Sequence, residues 1–109
     1  MPQFALLVLT EGVAGREQEY NDWYTGQHLG DILEIEGYNA AQRFEFVEGT
    51  LSSPAPQRYL AVYELEADSV EQAEERLKAK LAVASRSDAV SPERTIWWVR
   101  PVTERRTAG

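Results

Sequence analysis

RYLAVYELEADSVEQAEERLKAKL, residues Arg58 to Leu81, decides the fold, because a strand and a helix of different apolar period follow one another within it. From Arg58 to Glu66 apolar residues occupy both parities, with Tyr59, Ala61, Tyr63 and Leu65 on one side and Leu60 and Val62 on the other. Successive side chains of a strand point to opposite faces, so a strand apolar on both is central in its sheet. The period then changes. Val70, Ala73, Leu77, Leu81 and Ala84 recur at three- and four-residue spacing, the buried stripe of an amphipathic helix. Ser69 with Gln72 three positions on has the spacing of a capping box, and Glu74 stands one turn before Lys78, placed for an ion pair.

Working outward, Phe4 to Thr10 (FALLVLT) is again apolar on both parities and is closed by Glu11-Gly12, which makes it a second central strand. Tyr38 to Val47 (YNAAQRFEFV) alternates, with Tyr38, Ala40, Phe44 and Phe46 on one face against Asn39, Arg43 and Glu45, as expected of a half-exposed edge strand. Glu48 to Gln57 (EGTLSSPAPQ) is rich in turn residues and reads as an exposed connection. After a polar turn around Ser85 to Glu93, Thr95 to Val102 (TIWWVRPV) is a last strand, with Pro101 near its end as an edge permits. Between the first two strands the pattern is helical from about Gly15, with Glu17 and Glu19 at the positive end of the macrodipole. That helix is expected to end near Gly26 to His28. A short turn from Asp31 to Ile35 then leads to Glu36-Gly37, where glycine can take the left-handed conformation.

The order strand, helix, strand, strand, helix, strand is an α+β arrangement, the ferredoxin-like split βαββαβ with a four-stranded antiparallel sheet covered by helices on one face. A single domain is expected over residues 1–102, with 103–109 a small charged tail expected to be flexible. The central strands carry apolar side chains on the face that the helices cannot cover, as does one of Trp97 and Trp98. A lone copy would leave that face as a large exposed patch. A second copy laid sheet against sheet would cover it, so a homodimer is expected.

Composition removes several classes of function. A formal charge of -7 repels phosphate backbones and anionic lipid, so neither nucleic acid nor a membrane is an expected partner. With no cysteine and one histidine, thiolate chemistry is absent and a built-in metal centre is not expected. No apolar run approaches the roughly 20 residues that span a bilayer, and Met1-Pro2-Gln3 lacks the pattern of a signal peptide, so the chain reads as cytoplasmic. There is no glycine-rich phosphate loop and no nucleophile elbow, which argues against nucleotide cofactors and covalent acyl chemistry.

Chemistry concentrates in Glu17 to Asp31, EQEYNDWYTGQHLGD. Tyr20, Tyr24 and His28 form one helical row with Trp23 beside it. The longer run YNDWYTGQHLGDILEIEGYNAAQRF, Tyr20 to Phe44, resembles the dimeric α/β-barrel superfamily, closest to its EthD-like members. The matching positions are Trp23, Tyr24, His28, Leu29, Gly37 and Arg43. The resemblance implies a homodimeric barrel of two four-stranded sheets, with a small-molecule pocket between helix and sheet in each subunit. It implies no single reaction, since the superfamily includes cofactor-independent monooxygenases, polyketide cyclases, dehydratases and haem-degrading enzymes. A haem-degrading relative would be expected to carry a histidine toward the later helix, and this chain has none there. No cofactor is expected.

His28 is the leading catalytic candidate, because a neutral imidazole exchanges protons near pH 7 and the resemblance places a histidine here beside a pocket. Its plainer role is to meet the last carbonyls of a helix. Tyr24, one turn earlier, is placed to orient the ring or to donate to a substrate oxygen, and Asp22 or Asp31 to fix the tautomer. Tyr20 and Trp23 suit an aromatic wall, with Phe44, Tyr59 and whichever of Trp97 and Trp98 faces the helices opposite. Core packing explains the same aromatics more plainly. Arg43 and Arg100 are candidates for a carboxylate or phenolate, or are simply solvated. The expected activity is cofactor-independent acid-base chemistry on an aromatic or polyketide-like molecule, by cyclisation, dehydration, lyase-type cleavage or oxygenation. The alternative is a non-catalytic dimer that binds a small apolar ligand or serves a degradation pathway.

Overall fold

The computed structural model describes residues 1–109. Strands β1 (Gln3–Thr10), β2 (Tyr38–Glu45), β3 (Tyr59–Glu66) and β4 (Thr95–Val99) form one antiparallel sheet in the order β2-β3-β1-β4. The strands apolar on both parities are therefore the central ones. The alternating strand and the one followed by Pro101 are the edges. Beyond Val99 the chain contains no further helix or strand.

Directly paired residues present their side chains to the same face. Leu6 pairs with Tyr63 and Trp98, and Val8 with Ala61 and Ile96, and these side chains form the helix-covered face. Leu7 pairs with Val62 and Trp97, and Leu9 with Leu60 and Thr95, on the outer face. Trp98 thus packs against the core while Trp97, 50% exposed, stands on the outer face with Phe44 and Val99.

The edge strand β2 departs from simple alternation. Its register slips between Tyr38, opposite Leu65, and Ala40, opposite Glu64. This β-bulge puts Tyr38 on the helix face together with Ala41 and Arg43, and leaves Ala40 and Phe44 on the outer face. Tyr38 is consequently buried, its hydroxyl donating to the carbonyl of Ala73 at 2.8 Å. Gly37, just before it, has φ +90° and lies so close to β3 that a Cβ would sit 2.3 Å from the carbonyl oxygen of Glu66. Only glycine meets both requirements.

The first helix does not end near His28. The α-helix α1 (Glu17–Trp23) runs into a π-helical turn (Tyr24–His28), which continues as α2 (Leu29–Leu33). The backbone stays right-handed helical at Tyr24, His28 and Leu29, so one helix crosses Gly26 and Gly30 without interruption. The second long helix, α3 (Val70–Leu81), starts at Ser69, whose Oγ accepts from the amide of Gln72 at 3.1 Å. The return bond of Gln72 goes to the amide of Asp68, one residue before the cap. Glu74 and Lys78 form no ion pair. Lys80 instead reaches Glu34, and Arg76 reaches Glu36, tying α3 to the end of α2.

Buried Leu6, Tyr20, Tyr24, Ile32, Ala61, Tyr63, Leu65 and Ala73 form a single core between the sheet and these helices. The loop between α3 and β4 closes one end of that layer. It is held to the β1–α1 connection by Val13 N–H to Ala89 O (2.7 Å) and Ser91 N–H to Glu11 O (2.9 Å), and by Arg16 against Asp88 (2.7 Å). No helix is long and apolar enough to cross a membrane.

Candidate functional site

The π-helical turn creates the site's first feature. In an α-helix residues five apart do not face one another, but the wider turn brings them into line. The rings of Trp23 and His28 stack with centroids 4.6 Å apart and planes 23° apart. Tyr24 meets the imidazole edge to face at 4.8 Å and also meets Trp23 at 5.8 Å, so the two aromatics abut His28 on adjacent sides. His28 thus packs against two aromatics, and its Nδ1 is buried without a hydrogen-bond partner. Nε2 makes no hydrogen bond within the chain and is not buried. Loss of hydration holds the imidazole pKa below its ordinary value, opposed in part by the nearby Asp31 carboxylate. The ring is therefore neutral at pH 7.

The imidazole borders a cavity of about 530 Å³ between the helices and the sheet. The helical wall is Trp23, Tyr24, His28 and Ile32. The sheet supplies Leu6, Val8, Thr10, Tyr63 and Ile96, and α3 supplies Leu77 and Leu81. The fourth wall is the α3–β4 loop, with Ser85, Arg86, Ser87, Val90, Ser91, Pro92 and Arg94. Trp23 Nε1 donates to Ser85 Oγ at 3.2 Å and joins the helical wall to the loop. The arrangement is that of a small-molecule pocket, mostly apolar with a few polar groups at one side.

The expected site residues separate into three groups. His28, Tyr24 and Trp23 lie together on the cavity. Tyr24 is held by its hydroxyl against that of Tyr63 at 3.1 Å, and burial pushes it up to about 12, so it serves as a hydrogen-bonding group and not as a base at neutral pH. Tyr20 and Tyr59 pack beside this group without lining the cavity. They enclose Arg43, whose guanidinium lies 4.5 Å from the centroid of Tyr24 and 5.2 Å from those of Tyr20 and Tyr59. Arg43 also donates to Asn21 Oδ1 and Thr25 Oγ1 at 2.9 Å and to the Tyr20 hydroxyl at 3.2 Å, and that hydroxyl meets Thr10 Oγ1 at 2.5 Å. Its donors are committed within the fold.

The third group is remote. Phe44 and Trp97 are on the outer face of the sheet, the first because the bulge in β2 leaves it there. Trp98 is on the helix face but packs into the core and does not reach the cavity. Asp22 is exposed and accepts from Gln18 at 2.9 Å, so it does not hold the imidazole. Asp31 is the carboxylate that acts on His28. Its Oδ1 accepts from Gln27 Nε2 at 2.9 Å while its Oδ2 is buried without a partner. In the sequence the α3–β4 loop shows only the pattern of a polar turn. Its two arginines, in a chain short of bases, were the available signal.

No protein-family model and no curated protein sequence matches the chain. Solved structures do. The heme-degrader MhuD from Mycobacterium tuberculosis, with two hemes bound in its active site, superposes with a TM-score of 0.64 at 20% identity over 94% of this chain and 99% of that one. A protein of unknown function from Nitrosomonas europaea gives 0.58 at 20% identity over 100% and 98%. An ethyl tert-butyl ether degradation (EthD) family protein from Bacillus halodurans C-125 gives 0.52 at 13% identity over 87% and 96%. At these identities the likeness is one of fold. Iron ligation from the later helix finds no donor here, because α3 offers the cavity only Leu77 and Leu81, and no cluster of three or more potential metal ligands occurs in the chain. By its architecture, a four-stranded antiparallel sheet covered by helices, the chain has the ferredoxin-like α+β fold that these structures share.

Proposed function

We propose that the chain is a small cofactor-independent enzyme in which His28 transfers a proton on an aromatic or polyketide-like molecule held in the cavity. The observation that carries this reading is a neutral imidazole on the cavity wall with one ring nitrogen unburied and no partner in the chain. A neutral imidazole can accept a proton from an acidic carbon or phenol and return it to another atom of the same substrate, the common step of cyclisation, dehydration and lyase-type cleavage. Oxygenation without metal or flavin would need the same first step, since the substrate must become an electron-rich anion. Trp23 and Tyr24 fix the ring plane, and the Tyr24–Tyr63 hydroxyl pair offers a donor to a substrate oxygen. A panel of aromatic and polyketide-like substrates tests the reading: His28→Gln should remain folded and lose turnover by about 10²-fold or more. Full turnover in that variant contradicts it.

The second reading is a ligand-binding or accessory protein, favoured by the unpartnered Nδ1. Acid-base sites usually orient that nitrogen with a carboxylate, and here Asp31 makes no hydrogen bond to it. Such a protein would bind the same molecules equally well in wild type and His28→Gln and would turn over neither. In both readings a second copy covers the outer face, where Trp97, Phe44 and Val99 remain 44–50% exposed. Stable interfaces bury about 800 Å² per partner. Sedimentation should therefore give a dimer at micromolar protein, and a folded monomer would refute the assembly.

A further inference from the structure

The cavity carries a charge pattern opposite to that of the chain. Eighteen acidic residues outnumber eleven basic ones, yet no carboxylate lines the cavity, whereas Arg86 and Arg94 both do. Arg16, Arg58, Arg76 and Lys80 each have a carboxylate within 4 Å, and of the bases without one only Arg86 and Arg94 line this cavity. Arg86 and Arg94 have neither an ion pair nor a hydrogen bond in the chain. Asp88 and Glu93 lie close to them in sequence, but Asp88 is taken by Arg16 and Glu93 is off the cavity. In so acidic a protein, two unpaired guanidinium groups on one pocket form a local positive field.

We infer that the cavity takes an aromatic carboxylate, with its ring system against Trp23 and the apolar walls and its carboxylate at Arg86 and Arg94. This rests on the proposal that the cavity is a ligand site and adds the charge and polarity of the ligand. The guanidinium fork matches two carboxylate oxygens, and the hydroxyls of Ser87 and Ser91 stand on the same wall as further donors. The loop is fixed before any ligand arrives. Its backbone is bonded to the β1–α1 connection through Ala89 and Ser91, and Ser85 is bonded to Trp23, so binding orders little beyond the two side chains. His28, neutral and at the helical wall, is left free to act on the ring system, while the opposite end of the molecule is held at the loop.

The test is calorimetric titration of the full chain at about pH 8 with 2-naphthoate and with its neutral amide, 2-naphthamide. Wild type should bind the carboxylate about tenfold more tightly, the effect of a charge-assisted hydrogen bond open to solvent. The double variant Arg86→Gln/Arg94→Gln should bind the two within about twofold, while His28→Gln should keep the preference. Equal binding by wild type, or a preference that survives in the double variant or disappears in His28→Gln, overturns the carboxylate assignment and leaves the cavity reading intact. Failure of both probes to bind wild type overturns both.

Discussion

Arg43, packed against the first helix from β2, and His28, carried on that helix, are treated in opposite ways. Arg43 is enclosed by three tyrosine rings and has three oxygen acceptors, so every feature around it stabilises its charge. His28 also lies against aromatic rings, yet its buried nitrogen has no partner and its charged form is disfavoured. The first arrangement holds β2 to α1. The second contributes little to stability and leaves a titratable group beside a cavity. The other ring nitrogen is unburied on the cavity wall, where a bound molecule can reach it.

The comparison predicts unequal effects on folding. Arg43→Met should destabilise the chain by about 2–3 kcal/mol in urea unfolding, because Asn21, Thr25 and the Tyr20 hydroxyl lose their donor together. His28→Leu, by contrast, should change stability by less than about 0.5 kcal/mol above pH 7, since an apolar side chain leaves no buried nitrogen unsatisfied. Comparable losses in the two variants would break the contrast.

A smaller effect should appear only in acid. The His28 pKa is lowered on folding, so below its ordinary value of about 6.5 the unfolded chain binds the extra proton more readily than the native one. Stability should fall as pH drops through 6.5 towards the folded-state value, and His28→Leu should show a shallower decline.

The architecture was legible because its signals are local and repeated. Two strands apolar on both parities can only be central, and Ser69 with the stripe from Val70 to Leu81 can only be a capped helix packed on one side. Faces were harder to assign. A single extra residue between Tyr38 and Ala40 reverses the parity of β2, so strict alternation put Tyr38 with Phe44, when the bulge places Tyr38 in the core and Arg43 beside Tyr24. Periodicity cannot announce a bulge.

The stretch from Gly26 to His28 suggested a helix end for the same kind of reason. Glycine lowers helix propensity, but packing of Tyr24 and Ile32 against the sheet carries the helix through, by way of a π-helical turn. That turn is why Trp23, at a spacing foreign to an α-helix, stacks on His28. The loop from Ser85 to Arg94 was the least legible part of the site. Its role depends on hydrogen bonds to Glu11 and Val13, far away in sequence, and no local pattern encodes them.

His28 is the only histidine in the chain, so its imidazole resonances can be followed without assignment ambiguity. An NMR pH titration of the ring, free and with an aromatic ligand in the cavity, therefore measures the central claim directly. The account predicts a pKa below 6.5 in the free protein and clear shifts of the ring signals on ligand binding. A pKa at or above 6.5, with signals that ligand leaves unmoved, would contradict it.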